Sequence, residues 1–136
     1  MCAFCSIASG DEPAAVVARE GRFCAFLDAR PVFKGHVLVV PADHVPDLAA
    51  LPEADLGPLF SLARRVATAL EAALGSQGAF VGVNNKVSQS VPHLHVHVVP
   101  RSKGDGLRGF FWPRTKYESD AERDGYALRI AASLRP

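Results

Sequence analysis

An α+β fold, built on an antiparallel sheet of about five strands with one main helix and a C-terminal helix, is what this 136-residue sequence predicts. Three observations carry it. Short runs rich in β-branched and aromatic residues are joined by tight turns, which suits antiparallel pairing. One long stretch repeats its apolar residues at helical spacing. Helices are too few to give each strand the crossover that a parallel sheet needs.

In chain order, residues 14–19 and 22–28 are two apolar runs separated by Glu20-Gly21, read as a hairpin with a tight turn. Residues 36–41 form a third strand, closed by Pro41, which cannot donate to a ladder. Residues 79–84 and 93–99 supply the fourth and fifth. Between them Leu56, Leu59, Ala63, Val66, Leu70 and Leu74 recur every three or four residues, one buried helical face over residues 53–75, with Gly75 as its stop. Pro58 removes a backbone donor in the second turn, so the regular helix is expected to begin only there. A second helix starts at Ser119, whose hydroxyl caps it while Glu122 reaches back, and runs to residue 134. Residues 102–117 read as loop. Cys24, inside an apolar run, reads as a small core residue.

The bulk properties point to one domain over residues 1–136. Apolar residues make up 49% and the formal net charge is +1, with no run of lysine and arginine to serve polymeric nucleic acid or an anionic membrane. No apolar stretch approaches the roughly 20 residues of a spanning helix, and the N-terminus lacks a signal-peptide pattern. A cytoplasmic protein is expected, in which three cysteines do not form a disulfide framework.

Chemistry concentrates in His93-Leu94-His95-Val96-His97-Val98-Val99-Pro100. On a strand the side chains alternate, so the three imidazoles share one face at steps of about 7 Å, while Leu94, Val96 and Val98 point into the core. His36, at the start of its own strand, can adjoin them. Such a cluster suits either a metal with an open position for water or a nucleophilic imidazole attacking phosphorus. The preceding segment, Asn84, Asn85, Lys86, Ser88, Gln89 and Ser90, offers donors rather than carboxylates. Donors suit an anion, here beside histidines expected to be half-protonated near neutral pH.

These residues resemble the histidine triad family, whose motif is three histidines alternating with apolar residues. Gln89-Ser90-Val91 is similar to the family's phosphate loop, Phe26-Leu27-Asp28 to the end of its second hairpin strand, and Gly35-His36-Val37-Leu38-Val39-Val40-Pro41 to its third strand. Cys2-Ala3-Phe4-Cys5-Ser6-Ile7 resembles the N-terminus of its zinc-bearing members. The resemblance implies a HIT-like fold that dimerises. It implies His95 as the nucleophile that forms a nucleotidyl intermediate, its other nitrogen donating to a backbone carbonyl, with His97 on a phosphate oxygen and His36 in support. Ser90 would lie near the leaving group, Gln89 and Asn84 near the phosphate, and Asp28 on the ribose hydroxyls. Phe4, Ile7 and Phe26 would line the base slot. Substrates implied are adenosine phosphoramidates and dinucleoside polyphosphates, hydrolysed or passed to another acceptor, and a structural zinc is implied on Cys2, Cys5, His44 and His93.

Each assignment has a plainer alternative. Asp28 before Ala29-Arg30-Pro31 also reads as a turn residue, Asn84 and Asn85 as turn formers, Phe4, Ile7 and Phe26 as core, and Cys2 and Cys5 as reduced thiols at a frayed end. A nucleotide-binding module with little catalysis, and a hydrolase holding its metal on His93, His95 and His97, are the rival functions. Two departures from the family pattern stand out. Lys86 and Ser88 occupy positions where glycines are common, and the segment from Lys103 to Tyr117, with Phe110, Phe111 and Trp112, is longer than in the small phosphoramidases. That segment is expected either to close over the leaving group or to join a dimer contact.

Overall fold

The computed structural model describes residues 2–107 and 113–134. They fall into two compact units, residues 1–105 and 106–136, each described by itself. Phe110, Phe111 and Trp112 lie outside the described residues.

The first unit is an α+β fold: α1 (Ala3–Ser9), β1 (Val16–Glu20), β2 (Phe23–Leu27), β3 (Val37–Pro41), α2 (Glu53–Leu74), β4 (Gly78–Gly82) and β5 (Val96–Arg101). Its five strands pair antiparallel throughout in the order β1-β2-β3-β5-β4. Residues alternate between the two faces of the sheet. Ala25, Val37, Val39, Val96 and Val98 pack with Leu59, Leu62, Ala63, Val66 and Leu70 of α2. On the opposite face Cys24, Phe26, Leu38 and Val40 meet Phe4 and Ile7 of α1. That second face carries the site.

Several elements differ from the sequence reading for identifiable reasons. The hairpin turn is Gly21-Arg22 rather than Glu20-Gly21, since Glu20 pairs with Phe23 and the left-handed residue is Gly21 (φ 55°). Helix α2 starts at Glu53, ahead of Pro58, and ends on Gly75 in the left-handed conformation. The proline is tolerated because Ala54, whose carbonyl loses its partner, is exposed to water. Leu56 and Leu74, expected in the buried stripe, are 39% and 56% exposed at the two ends of the helix, and Leu62 fills the core instead. β4 covers Gly78–Gly82, ending before Asn84.

The most consequential difference is at the histidines. β5 begins at Val96, so His93 and His95 precede the ladder. The β3–β5 register pairs Val39 with Val96; continued, it sets Pro41, without an N–H, opposite Leu94. The Leu94 N–H bonds to Val45 O at 2.6 Å instead. Helix α1 was not expected at all: Cys2 caps it, its Sγ accepting from Cys5 N–H at 3.3 Å.

The second unit holds α3 (Asp120–Ser133). Ser119 Oγ accepts from Glu122 N–H at 3.1 Å, as the sequence predicts, while the Glu122 carboxylate returns to Glu118 N–H rather than to the cap residue. No residue of α3 is buried, and Tyr126 packs with Tyr117 and beneath Arg129.

Candidate active site

Between α1 and the end of β2 lies a cleft of ≈ 590 Å³. Ala3, Phe4, Ile7, Phe26 and Leu38 make one part of its wall apolar, and Asp28, Ser90, His95 and His97 make another polar. Phe4 meets Phe26 edge to face at 5.3 Å and His95 at 5.1 Å between ring centres, so one aromatic ring joins the two parts.

Hydrogen bonds fix the direction in which each imidazole donates. Val32 N–H can only donate, so His36 Nδ1, 3.1 Å away, accepts. Neutral His36 then carries its proton on Nε2 and donates to His97 Nδ1 at 3.0 Å. His97 in turn keeps its proton on Nε2, a buried atom without a partner among the described residues, on a residue that lines the cleft. His95 Nδ1 donates to His93 O at 2.7 Å, which leaves the Nε2 lone pair free. The rings of His95 and His97 are 4.9 Å apart.

Burial disfavours the charged form of His36, His93 and His97, against the expectation of half-protonated rings at those three positions. Desolvation lowers the pKa of His97 to about 4, helped by repulsion from His95 and His36 and opposed by Asp28. Burial also lowers His36, against the pull of Asp28. It lowers His93 too, against the hydrogen bond to the Pro41 carbonyl. A neutral His36 and His97 are what a directed run of donors requires.

His93 is turned to a different task. Its Nε2 donates to Pro41 O at 2.8 Å, leaving Nδ1 as a lone pair 3.3 and 3.5 Å from the Sγ atoms of Cys2 and Cys5. His44 Nδ1 stands 3.6 and 3.4 Å from the same sulfurs. Tetrahedral zinc, with Zn–S of about 2.3 Å and Zn–N of about 2.0–2.1 Å, sets each sulfur about 3.6 Å from each nitrogen and the two sulfurs about 3.8 Å apart; the sulfur–nitrogen distances match, and the thiols, 3.1 Å apart, need only a slight separation for the four residues to fit that ion. The Pro41 carbonyl is the outer-shell partner that a zinc-bound imidazole usually has. The three histidines therefore do not share one metal shell: His93 belongs with the thiols, and His95 Nδ1 is taken by a carbonyl.

Other expected residues are placed less centrally. Asp28 lines the cleft and also makes the turn read from its sequence, Oδ1 accepting from Arg30 N–H at 2.9 Å. Gln89 is not among the lining residues; its amide donates to Pro46 O at 2.7 Å and accepts from Lys86 N–H at 2.9 Å, so it holds the loop rather than a phosphate. Asn84 is exposed and likewise absent from the lining. His36 is buried and meets His97 through its Nε2. The loop itself is strained, since Lys86 (φ 72°) and Ser88 (φ 60°) are both left-handed. Sequence reasoning missed Glu12, Ala15 and Arg30 on the cleft wall and Val32 N–H behind His36. The small residues at 14–15 were the available signal for the wall; a backbone donor leaves none.

Comparison with known proteins agrees with this geometry. The HIT domain model matches residues 9–104. An uncharacterized HIT-like protein of Mycobacterium tuberculosis is 33% identical over 132 residues, 96% of this chain and 92% of that protein. The adenosine 5'-monophosphoramidase hnt1 of Schizosaccharomyces pombe is 32% identical over 82% of this chain and 83% of its own length. Among solved structures, a HIT family member from Bacillus subtilis superposes with a TM-score of 0.88 at 31% identity, covering 99% of this chain and 98% of that one. A zinc-bound histidine triad family protein from Mycobacterium smegmatis gives 0.75 at 31% identity over 98% and 97%. With the domain match spanning all five strands and a relative 33% identical over 96% of the sequence, this chain belongs to the histidine triad, or HIT, family.

Proposed function

We propose that the protein is a nucleotide hydrolase or nucleotidyl transferase in which His95 Nε2 attacks the α-phosphorus of a nucleotide conjugate, an adenosine phosphoramidate or a dinucleoside polyphosphate. The one-way run of donors, Val32 to His36 to His97, beside a His95 ring held by the His93 carbonyl, is the observation that carries this reading. It leaves one free lone pair and one unpartnered N–H on adjoining rings, the pair that substitution at phosphorus needs. The kinship with a phosphoramidase supports the substrate class.

In the proposed reaction the His95 lone pair forms an N–P bond as the bond from phosphorus to the leaving group breaks. His97 Nε2–H donates to a non-bridging oxygen, where negative charge concentrates. Ser90 Oγ supplies a donor toward the leaving group. Water or another acceptor then displaces His95 from phosphorus and restores the ring. Asp28 has Oδ2 for the ribose hydroxyls, and Phe4, Ile7 and Phe26 hold the base.

A structural zinc on Cys2, Cys5, His44 and His93 belongs to the same proposal, supported by the donor geometry and by the zinc-bound relative. A four-ligand site is closed, so the ion ties chain segments together and supplies no chemistry to the substrate. A homodimer and a cytoplasmic location are proposed with it; no helix among the described residues is long and apolar enough to cross a membrane.

The test is a side-by-side assay of adenosine and guanosine phosphoramidates, dinucleoside polyphosphates and nucleotide sugars, with His95→Ala as the blank. Turnover should fall by at least about 10³-fold while AMP affinity stays within a few-fold, because binding is spread over base, ribose and phosphate. Retained turnover in the variant would remove His95 from the reaction.

A further inference from the structure

We propose that Cys2 and Cys5 form a thiol–disulfide site whose oxidation by a peroxide frees helix α1 and opens the nucleotide cleft. The inference rests on the zinc reading above and extends it.

The two Sγ atoms are 3.1 Å apart, nearer than the about 3.8 Å that a shared tetrahedral zinc would hold them, so without the ion they reach the 2.03–2.05 Å of a disulfide by small side-chain rotations. Both cysteines are only partly buried, whereas Cys24 is buried on its own in the core. A peroxide can therefore reach the pair and not the third thiol. The chemistry balances with no further oxidant or reductant. One thiolate attacks a peroxide oxygen, giving a sulfenic acid and releasing the other oxygen as water; the second sulfur then displaces the sulfenic hydroxyl, which leaves as water. Two thiolates, one peroxide and two protons from solvent become one disulfide and two waters, and the two electrons pass from sulfur to oxygen. A zinc held there would be released without change of charge, because a disulfide is no longer a thiolate donor and His44 and His93 alone would make half a shell.

The consequence for the cleft follows from what holds α1. The helix has 7 residues and none is buried, so it has no stability of its own. Its N-terminal end is tied by Cys2 and Cys5 to His44 and His93, and its C-terminal end by Arg19 Nη1 to Ile7 O and Ala8 O. The two residues between the cysteines, Ala3 and Phe4, both line the cleft, and Phe4 packs on His95 and His93. Closing the disulfide removes the tie to His44 and His93 and leaves α1 held by Arg19 and by the packing of Phe4 and Ile7 on Phe26 and Leu38, too little to keep a 7-residue helix in place. The same event reaches His95 from below, since the His93 carbonyl orients its ring.

The experiment treats the purified, reduced, full chain with hydrogen peroxide and follows four readouts. Expected are a Cys2–Cys5 disulfide by peptide mapping, release of one zinc per chain, at least tenfold faster amide exchange over residues 3–9, and at least tenfold weaker AMP binding. Dithiothreitol with added zinc should reverse all of them, and Cys24→Ser should behave like wild type. A complete Cys2–Cys5 disulfide that leaves α1 exchange unchanged overturns the proposal, as does peroxide treatment that yields no such disulfide. A reduced protein without zinc counts against the metal reading, and one that does not bind AMP counts against the nucleotide reading. In both cases disulfide formation and α1 exchange still decide the thiol site.

Discussion

At the scale of single residues, function depends on which nitrogen of each imidazole holds the proton. His97 is expected to contribute one hydrogen bond aimed at charge that develops during reaction, so His97→Ala should lower kcat by about 10²–10³-fold with little change in nucleotide affinity; steady-state kinetics beside AMP titration checks both halves. The neutral histidines also set a pH dependence. His36 and His97, outside the zinc set, have folded pKa values below the ordinary 6.5, so the unfolded chain binds more protons than the native one below that pH. The stability they confer is full above pH 6.5 and is lost as pH falls from about 6.5 toward 4, the lowered value at His97. Urea unfolding at pH 7.5 and pH 5 should give the lower free energy at pH 5; equal values would contradict a buried neutral cluster. In the loop, Lys86→Gly and Ser88→Gly should each stabilise the fold by roughly 0.5–1 kcal/mol, relief of a left-handed backbone outweighing the extra freedom of glycine when unfolded. The alternation of three histidines with Leu94, Val96 and Val98 was legible because a period of two leaves one arrangement open. The donor direction was not, since it starts at the Val32 amide, which no side-chain pattern records. The loop contacts of Gln89 were hidden for a related reason: its amide can serve a phosphate or a loop, and only the fold puts Pro46 O in reach.

At the scale of elements, the sheet and α2 were readable because each has a long periodic stretch, and the errors gathered at their ends. Pairing stops wherever a neighbour cannot answer, as at Pro41, and this displaced the start of β5 from His93 to Val96. Helix α1 escaped notice because 7 residues hold too few turns for a period, and its cap is Cys2 rather than serine, threonine or aspartate. Gly35 holds a backbone with φ 102° that side chains rarely adopt, and a Cβ there would also displace Cδ1 of the exposed Leu74, 2.5 Å away. Gly35→Ala should therefore destabilise the fold by roughly 1–3 kcal/mol, and because Gly35 directly precedes His36 it should also lower turnover. Thermal unfolding and kinetics on the same sample check this; a variant as stable as wild type would contradict the need for glycine there.

At the scale of the whole molecule, the family match covers residues 9–104, while Cys2, Cys5, Phe4 and Ile7 precede it. The part of the chain that joins the metal site to the base slot is thus the part outside the domain signature, and its assignment came from the resemblance of the N-terminal block and from the convergence of four ligand atoms within 4.8 Å. Chelating the zinc should lower the unfolding midpoint by roughly 5–10 °C, the shift expected for loss of a ligand held near a hundredfold above its dissociation constant. Calorimetry with and without chelator, and with zinc restored, measures it. The central claim concerns His95 alone. Wild-type protein mixed with an adenosine phosphoramidate, quenched within one turnover and digested, should carry the mass of one AMP on the peptide holding His93, His95 and His97, with fragmentation assigning it to His95. A burst of free AMP from fully active enzyme with no adduct at any quench time, or an adduct on another residue, would contradict the account.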